Sequence, residues 1–195
     1  MNRASAVAEL KSTFAVLNAD LEAAVAYGRL DNTPYAQRAL VRAFFALVEG
    51  LCFQLRQVTL ASLEDSESLS PAEITLLREE RHAIDDRGKV KSNEAFLPFP
   101  QSLLFSLHIY CKNHGADFKV DTSGAGWQAL RTATNARNRV THPKSAGSLA
   151  LTDPDLQALM DASRWWQATL LSMFEACEEA DAYWQRQLST TARRE

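Results

Sequence analysis

Residues 42–55 read RAFFALVEGLCFQL, and this stretch decides the fold. With Leu40 and Val41 before it and Val58 after it, its apolar residues fall on most sides of a helix. A helix of that kind belongs at the centre of a bundle, covered by other helices. Thr33 is placed to cap it with Pro34 at its first position, and the pattern carries it to about Leu63. One narrow charged stripe interrupts the cylinder, because Arg38, Arg42, Glu49 and Arg56 fall within about 40° of each other. Either this stripe faces solvent, or Glu49 pairs with Arg42 or reaches Arg137 on another helix and holds its guanidinium.

The covering helices are legible on both sides. Upstream, Val7, Leu10, Phe14, Leu17, Leu21 and Val25 repeat at intervals of three and four on one face of a long helix, with Gly28 near its end. Downstream, Ser70-Pro71 with Glu73 opens a third helix that should fade near Asp85-Asp86-Arg87-Gly88. The polar, proline-broken segment from Gly88 to Pro100 reads as irregular. A fourth helix spans about Gln101 to Asn113 and ends on Gly115, and a fifth runs from about Gly126 to Pro143. Thr152 or Asp153 then caps a long final helix with Pro154 at its start. Its apolar face carries Leu156, Leu159, Met160, Ser163, Trp166, Leu170, Phe174 and Cys177. Residues 189–195 read as a frayed tail. No segment alternates with period two, so the expected fold is all-α, an antiparallel bundle of about five to six helices in a single domain over residues 1–188.

A chain of 195 residues that is 46% hydrophobic has enough for one substantial core. Its formal charge of -3 means that any contact with a nucleic acid must come from a local basic patch. No apolar run approaches the roughly 20 residues that span a bilayer, and Glu9 and Lys11 stand where a signal peptide would be apolar, so a cytoplasmic protein is expected. Cys52, Cys111 and Cys177, an odd number in apolar helical stretches, read as reduced core residues.

The fifth helix carries the chemistry. Arg131, Asn135, Asn138 and His142 share one polar sector, while Leu130, Ala133, Ala136 and Val140 lie opposite. Arg137 falls within the apolar side near its edge. Either its stem covers core while its guanidinium reaches water or a buried acid, or it is held there for use. Pro143 pushes His142 out of helical geometry, so the imidazole can swing at the last turn. Between Lys112 and Lys144 the bases Lys112, Lys119, Arg131, Arg137, Arg139 and Lys144 outnumber Asp117 and Asp121, which suggests a positive strip. Arg139 and Lys144 are candidates for phosphate contacts, or else solvated charges at the helix end.

The segment Ala136–Lys144, ARNRVTHPK, resembles the R-N-x-x-x-H motif of the HEPN superfamily (higher eukaryotes and prokaryotes nucleotide-binding). The long helix around RAFFALVEGLCFQL before it and the Trp-bearing amphipathic helix after it extend that resemblance, whereas Glu64 to Gly126 matches only in helical content. The resemblance implies metal-independent RNA cleavage by Arg137, Asn138 and His142. It also implies a homodimer that sets two motifs over one groove, with a toxin or defence role and an antitoxin or other regulatory protein as partner. Elementary chemistry agrees with that use. An imidazole titrates near neutral pH and can take the proton of a ribose 2'-hydroxyl, while a guanidinium offers a fixed fork of donors to the phosphate. Asn138 would orient the base or a phosphate oxygen, and Arg131 and Asn135 would extend the RNA contact.

Other chemistries fail on count. Glu79 and His82 form one E-x-x-H pair where a di-iron bundle needs two, and Cys111 with His114 lacks two further zinc ligands, so no metal and no cofactor are expected. There is no glycine-rich phosphate loop and no G-x-S-x-G elbow. The alternative from another class is a catalytically silent helical module of the same kind that binds nucleotide, RNA or a protein partner.

Overall fold

In a computed structural model of the chain, residues 2–63 and 69–191 are described, the last five of them by their backbone alone. The described residues form six α-helices and one small hairpin: α1 (Arg3–Leu30), α2 (Pro34–Ala61), α3 (Pro71–Leu77), β1 (Glu80–Ile84), β2 (Val90–Glu94), α4 (Phe99–His114), α5 (Ala125–Thr141) and α6 (Asp153–Thr191). The chain is therefore all-α. Helix α6 takes in Ser189–Thr191, and residues 192–195 of the expected tail lie outside the described residues. Among the described residues no helix is long and apolar enough to cross a membrane.

Contacts group the described residues into two compact units, one drawn from residues 2–10, 52–63, 69–118 and 175–191, the other from Lys11–Leu51 and Lys119–Phe174. The second unit carries the candidate site. Within it α1 and α2 are antiparallel, since Tyr27 meets Tyr35 across their short connection and a Cβ on Gly50 would stand 2.5 Å from the Leu17 side chain. Helix α5 runs antiparallel to α6, with Trp127 against Trp165 at one end and Arg139 bonded to Asp155 at the other. A Cβ on Gly126 would collide with the Trp165 ring at 2.4 Å, so glycine is what lets α5 approach α6 this closely. Val41, Phe44, Phe45, Leu47, Val48 and Leu51 of α2 are buried there with Leu130, Ala133, Ala136 and Val140 of α5 and Leu159, Ala162 and Trp166 of α6.

Helix starts follow the sequence signals. The Thr33 hydroxyl accepts the Ala36 N–H at 3.2 Å, and Thr152 forms a reciprocal cap with Asp155 at the start of α6. The apolar stripe of α1 packs less deeply than its spacing implies: Ala6 is its buried residue, and Phe14 stays exposed. On α6, Met160 is exposed and Met173 lies in the core.

The first unit corrects the sequence reading. Helix α3 stops at Leu77 rather than near Asp85, and part of the segment expected to be irregular is the second strand of an antiparallel hairpin, with Glu80 opposite Glu94 and Ile84 opposite Val90. The residues Asp85-Asp86-Arg87-Gly88 are its turn: Gly88 has φ 72°, and the Asp85 carboxylate accepts the N–H groups of Arg87 and Lys89 at 2.9 Å. The hairpin shows no alternation because apart from Glu80 all its strand residues are exposed on both faces. Glu73 completes the Ser70 capping box of α3 and holds Lys112 of α4 at 2.7 Å, bonds that pull its carboxyl down to about 2.

Arg56 departs from the solvent-facing stripe on α2 and is buried in this unit. Its guanidinium donates to the hydroxyls of Ser102 and Ser106 at 2.8 and 3.0 Å and pairs with Glu79 at 2.6 Å. Glu79 sits at φ 54°, the left-handed turn between α3 and β1.

Candidate functional site

Helix α5 is amphipathic in the sense expected. Trp127, Leu130, Ala133, Thr134, Ala136 and Val140 are buried, whereas Arg131, Asn135, Asn138 and His142 are exposed. Trp127 begins the polar sector by angle yet is buried, because the ring turns onto Trp165. Arg131 lies eleven residues before His142, roughly 16 Å along the axis, so it and Asn135 stand on the same stripe but beyond the groove at its end.

That groove, of about 410 Å³, is lined by Asn138, Arg139, His142, Lys144 and Ser148. His142 leaves helical geometry at φ -124° and ψ 65°, as the following proline requires, while its N–H still donates to the Asn138 carbonyl at 3.0 Å. Its imidazole is exposed and has no hydrogen-bond partner among the described residues. The short 3-10 turn Ala146–Leu149 closes the far side. There the Ser148 hydroxyl accepts the N–H groups of Lys144 and Ser145 at 3.1 Å, and the Lys144 ammonium has no partner among the described residues.

Arg137 is turned elsewhere. Its guanidinium donates to the Glu49 carboxylate on α2 and, at 3.1 Å, to Oδ1 of Asn138, and it does not line the groove. Of the alternatives for Glu49, the pairing with Arg137 is the one present. Arg42 instead donates to the Val140 carbonyl at 3.3 Å, a cation on the last turn of α5 that suits the helix dipole. The Glu49 carboxyl lies above its ordinary range, since burial outweighs the pull of Arg137. Two turns of α2 thus grip the end of α5 and fix the direction of Arg137.

Arg139 is held as well, by Asp155 at 2.7 Å. Burial alone would raise the Asp155 carboxyl, but the Thr152 N–H, Arg139 and the Thr152 hydroxyl together hold it below the usual range. The positive strip is therefore weaker than its sequence suggests. Lys112 is neutralised by Glu73, Arg137 by Glu49 and Arg139 by Asp155, which leaves Lys119, Arg131 and Lys144 unpaired among the described residues.

Sequence reasoning missed Asp155 and Ser148. The pattern Thr152-x-x-Asp155 is a capping signature and could have been read; nothing around Ser148 marks it as part of a groove. Among the described residues no three His, Cys, Asp or Glu side chains come together to hold a metal ion. Compared with protein-family models, curated proteins and solved structures, the chain matches none.

Proposed function

We propose that this protein is a metal-independent endoribonuclease of the HEPN type, acting as a toxin or defence enzyme. The observation that carries the reading is the unengaged His142 imidazole in one groove with Asn138, Arg139 and Lys144, an acid-base group beside cations. His142 takes the proton of a ribose 2'-hydroxyl, whose oxygen attacks the adjacent phosphorus and expels the 5'-oxygen, which takes a proton from water as it leaves. The products are a 2',3'-cyclic phosphate and a 5'-hydroxyl. Lys144 binds a backbone phosphate and Arg139 joins it by loosening its pair with Asp155, with Arg131 and Asn135 extending the path, and Asn138 orients the base or a phosphate oxygen. Arg137 meets the charge on the phosphate by exchanging the Glu49 carboxylate for a phosphate oxygen.

The same reading implies a homodimer with a composite groove, and an antitoxin or other regulatory protein that restrains it. Light scattering at micromolar concentration tests the first: a dimer is expected, and a monomer would contradict the composite groove. Cleavage is tested by incubating the protein with single-stranded RNA in excess EDTA and identifying the ends. Cyclic phosphate ends support the reading, and activity that requires added divalent metal overturns it.

A second reading is favoured by one observation, the engagement of Arg137 with Glu49 away from the groove. In it the protein is a silent helical module that binds RNA, nucleotide or a protein partner. RNA binding without cleavage at any metal concentration would support it.

A further inference from the structure

In the unit that contains them, α4 and the C-terminal part of α6 meet along one line. Nδ1 of His114 lies 3.0 Å from both carboxylate oxygens of Asp181, and a Cβ on Gly115 would stand 2.9 Å from the Trp184 indole nitrogen. Partners advance together along both helices, so the two run parallel here. One turn before His114 is Cys111, and one turn before Asp181 is Cys177. This register sets the two cysteines opposite one another. Both are reduced and buried, at 1% and 4% exposure.

From this juxtaposition we infer that Cys111 and Cys177 form a redox site that closes to a reversible disulfide under peroxide, stapling α4 to α6. The two sulfurs have unequal roles. The neighbouring Cys177 thiol holds the Cys111 thiol below its ordinary range against the effect of burial, and Cys111 in turn pushes the Cys177 thiol up. Cys111 is therefore the nucleophile and Cys177 the resolving thiol. The Cys111 thiolate attacks one oxygen of hydrogen peroxide, the O–O bond breaks, and a sulfenic acid and hydroxide form. The Cys177 sulfur then displaces hydroxide from the Cys111 sulfur. The thiol protons end on the two hydroxides, so two thiols are oxidised by two electrons while one peroxide is reduced to two waters.

The test exposes the whole protein to hydrogen peroxide, unfolds it, alkylates the remaining thiols and maps the peptides by mass spectrometry. A Cys111–Cys177 cross-linked peptide is expected, with Cys52 alkylated and the bond lost on adding dithiothreitol. Because the bridge closes a long loop, oxidation should also raise Tm by roughly 5 °C. In Cys177→Ser, a dimedone-reactive sulfenic acid should accumulate at Cys111. The inference is overturned if all three thiols alkylate after peroxide, if the bridge involves Cys52 or a second molecule, or if Cys111 goes directly to sulfinic acid. Should Cys177→Ser fail to fold, the wild-type peptide map decides alone.

Discussion

The Arg137 guanidinium is bonded to the Glu49 carboxylate, so the residue on α5 most suited to a phosphate is kept from the groove by an acid on α2. That pair is half-exposed, and it ties the two helices at the level of the site.

Its energetics have a defined pH dependence. Glu49 has a raised carboxyl in the folded protein, so its proton is bound more tightly there than in the unfolded chain. Its favourable contribution is complete below the ordinary value and is lost as pH rises through the folded one. Where the carboxylate is ionised, it depends on Arg137. Arg137→Ala should therefore cost about 1 kcal/mol at pH 7 and less below the ordinary glutamate range, whereas Glu49→Gln should change stability at pH 7 by less than about 1 kcal/mol. Urea unfolding of both variants across pH checks this. A cost for Arg137→Ala that grows on acidification would contradict it.

Asp155 has two duties, and removing it should separate them. Asp155→Ala deletes half of the α6 cap and should cost about 1 kcal/mol at neutral pH. Since the folded carboxyl is depressed, the wild-type advantage should hold above the ordinary aspartate range and fade as pH falls through the folded value. The same change frees Arg139 towards the groove, so RNA should bind more tightly at low salt despite the lost stability. Thermal unfolding and fluorescence anisotropy measure the two effects; weaker RNA binding by the folded variant would show that Asp155 is needed to aim Arg139.

Helical periodicity placed Leu130, Ala133, Ala136 and Val140 in the core and Asn138 and His142 on the open side, because burial on a helix repeats every few residues. It set Glu49 on a stripe but could not choose between Arg42 and Arg137, since the angle of a residue fixes its direction and not its partner. Asp155 and Glu73 were invisible as counterions for the same reason: each lies far along the chain from the base it neutralises. The hairpin left no pattern because a strand exposed on both faces has no buried side to alternate with, and only the turn residues Asp85 and Gly88 marked it.

Arg56 tests the packing of the other unit. Its guanidinium serves Ser102, Ser106 and Glu79 together from a buried position, a geometry that a lysine ammonium cannot match with the same fork. Arg56→Ala should destabilise the protein by roughly 2 to 4 kcal/mol through lost packing and unpaired hydroxyls, and Arg56→Lys should recover only part of that. Chemical denaturation of both variants gives the answer. A loss below about 0.5 kcal/mol for the alanine variant would mean that the cluster contributes little.

In the proposed function His142 performs the chemistry while its cationic neighbours hold the RNA. The most direct measurement compares cleavage rate and RNA affinity, both in EDTA, for the wild type, His142→Ala and Arg137→Lys, with helical content confirmed by circular dichroism. His142→Ala is expected to bind RNA about as tightly as the wild type and to lose cleavage by about 100-fold or more, because phosphate binding comes from the cationic side chains and proton transfer from the imidazole. Arg137→Lys should raise the barrier by about 2 to 4 kcal/mol, since it keeps the charge and loses the bidentate fork. If both variants fold and cleave as fast as the wild type, the ribonuclease reading is wrong and the Arg137–His142 segment is a structural helix end.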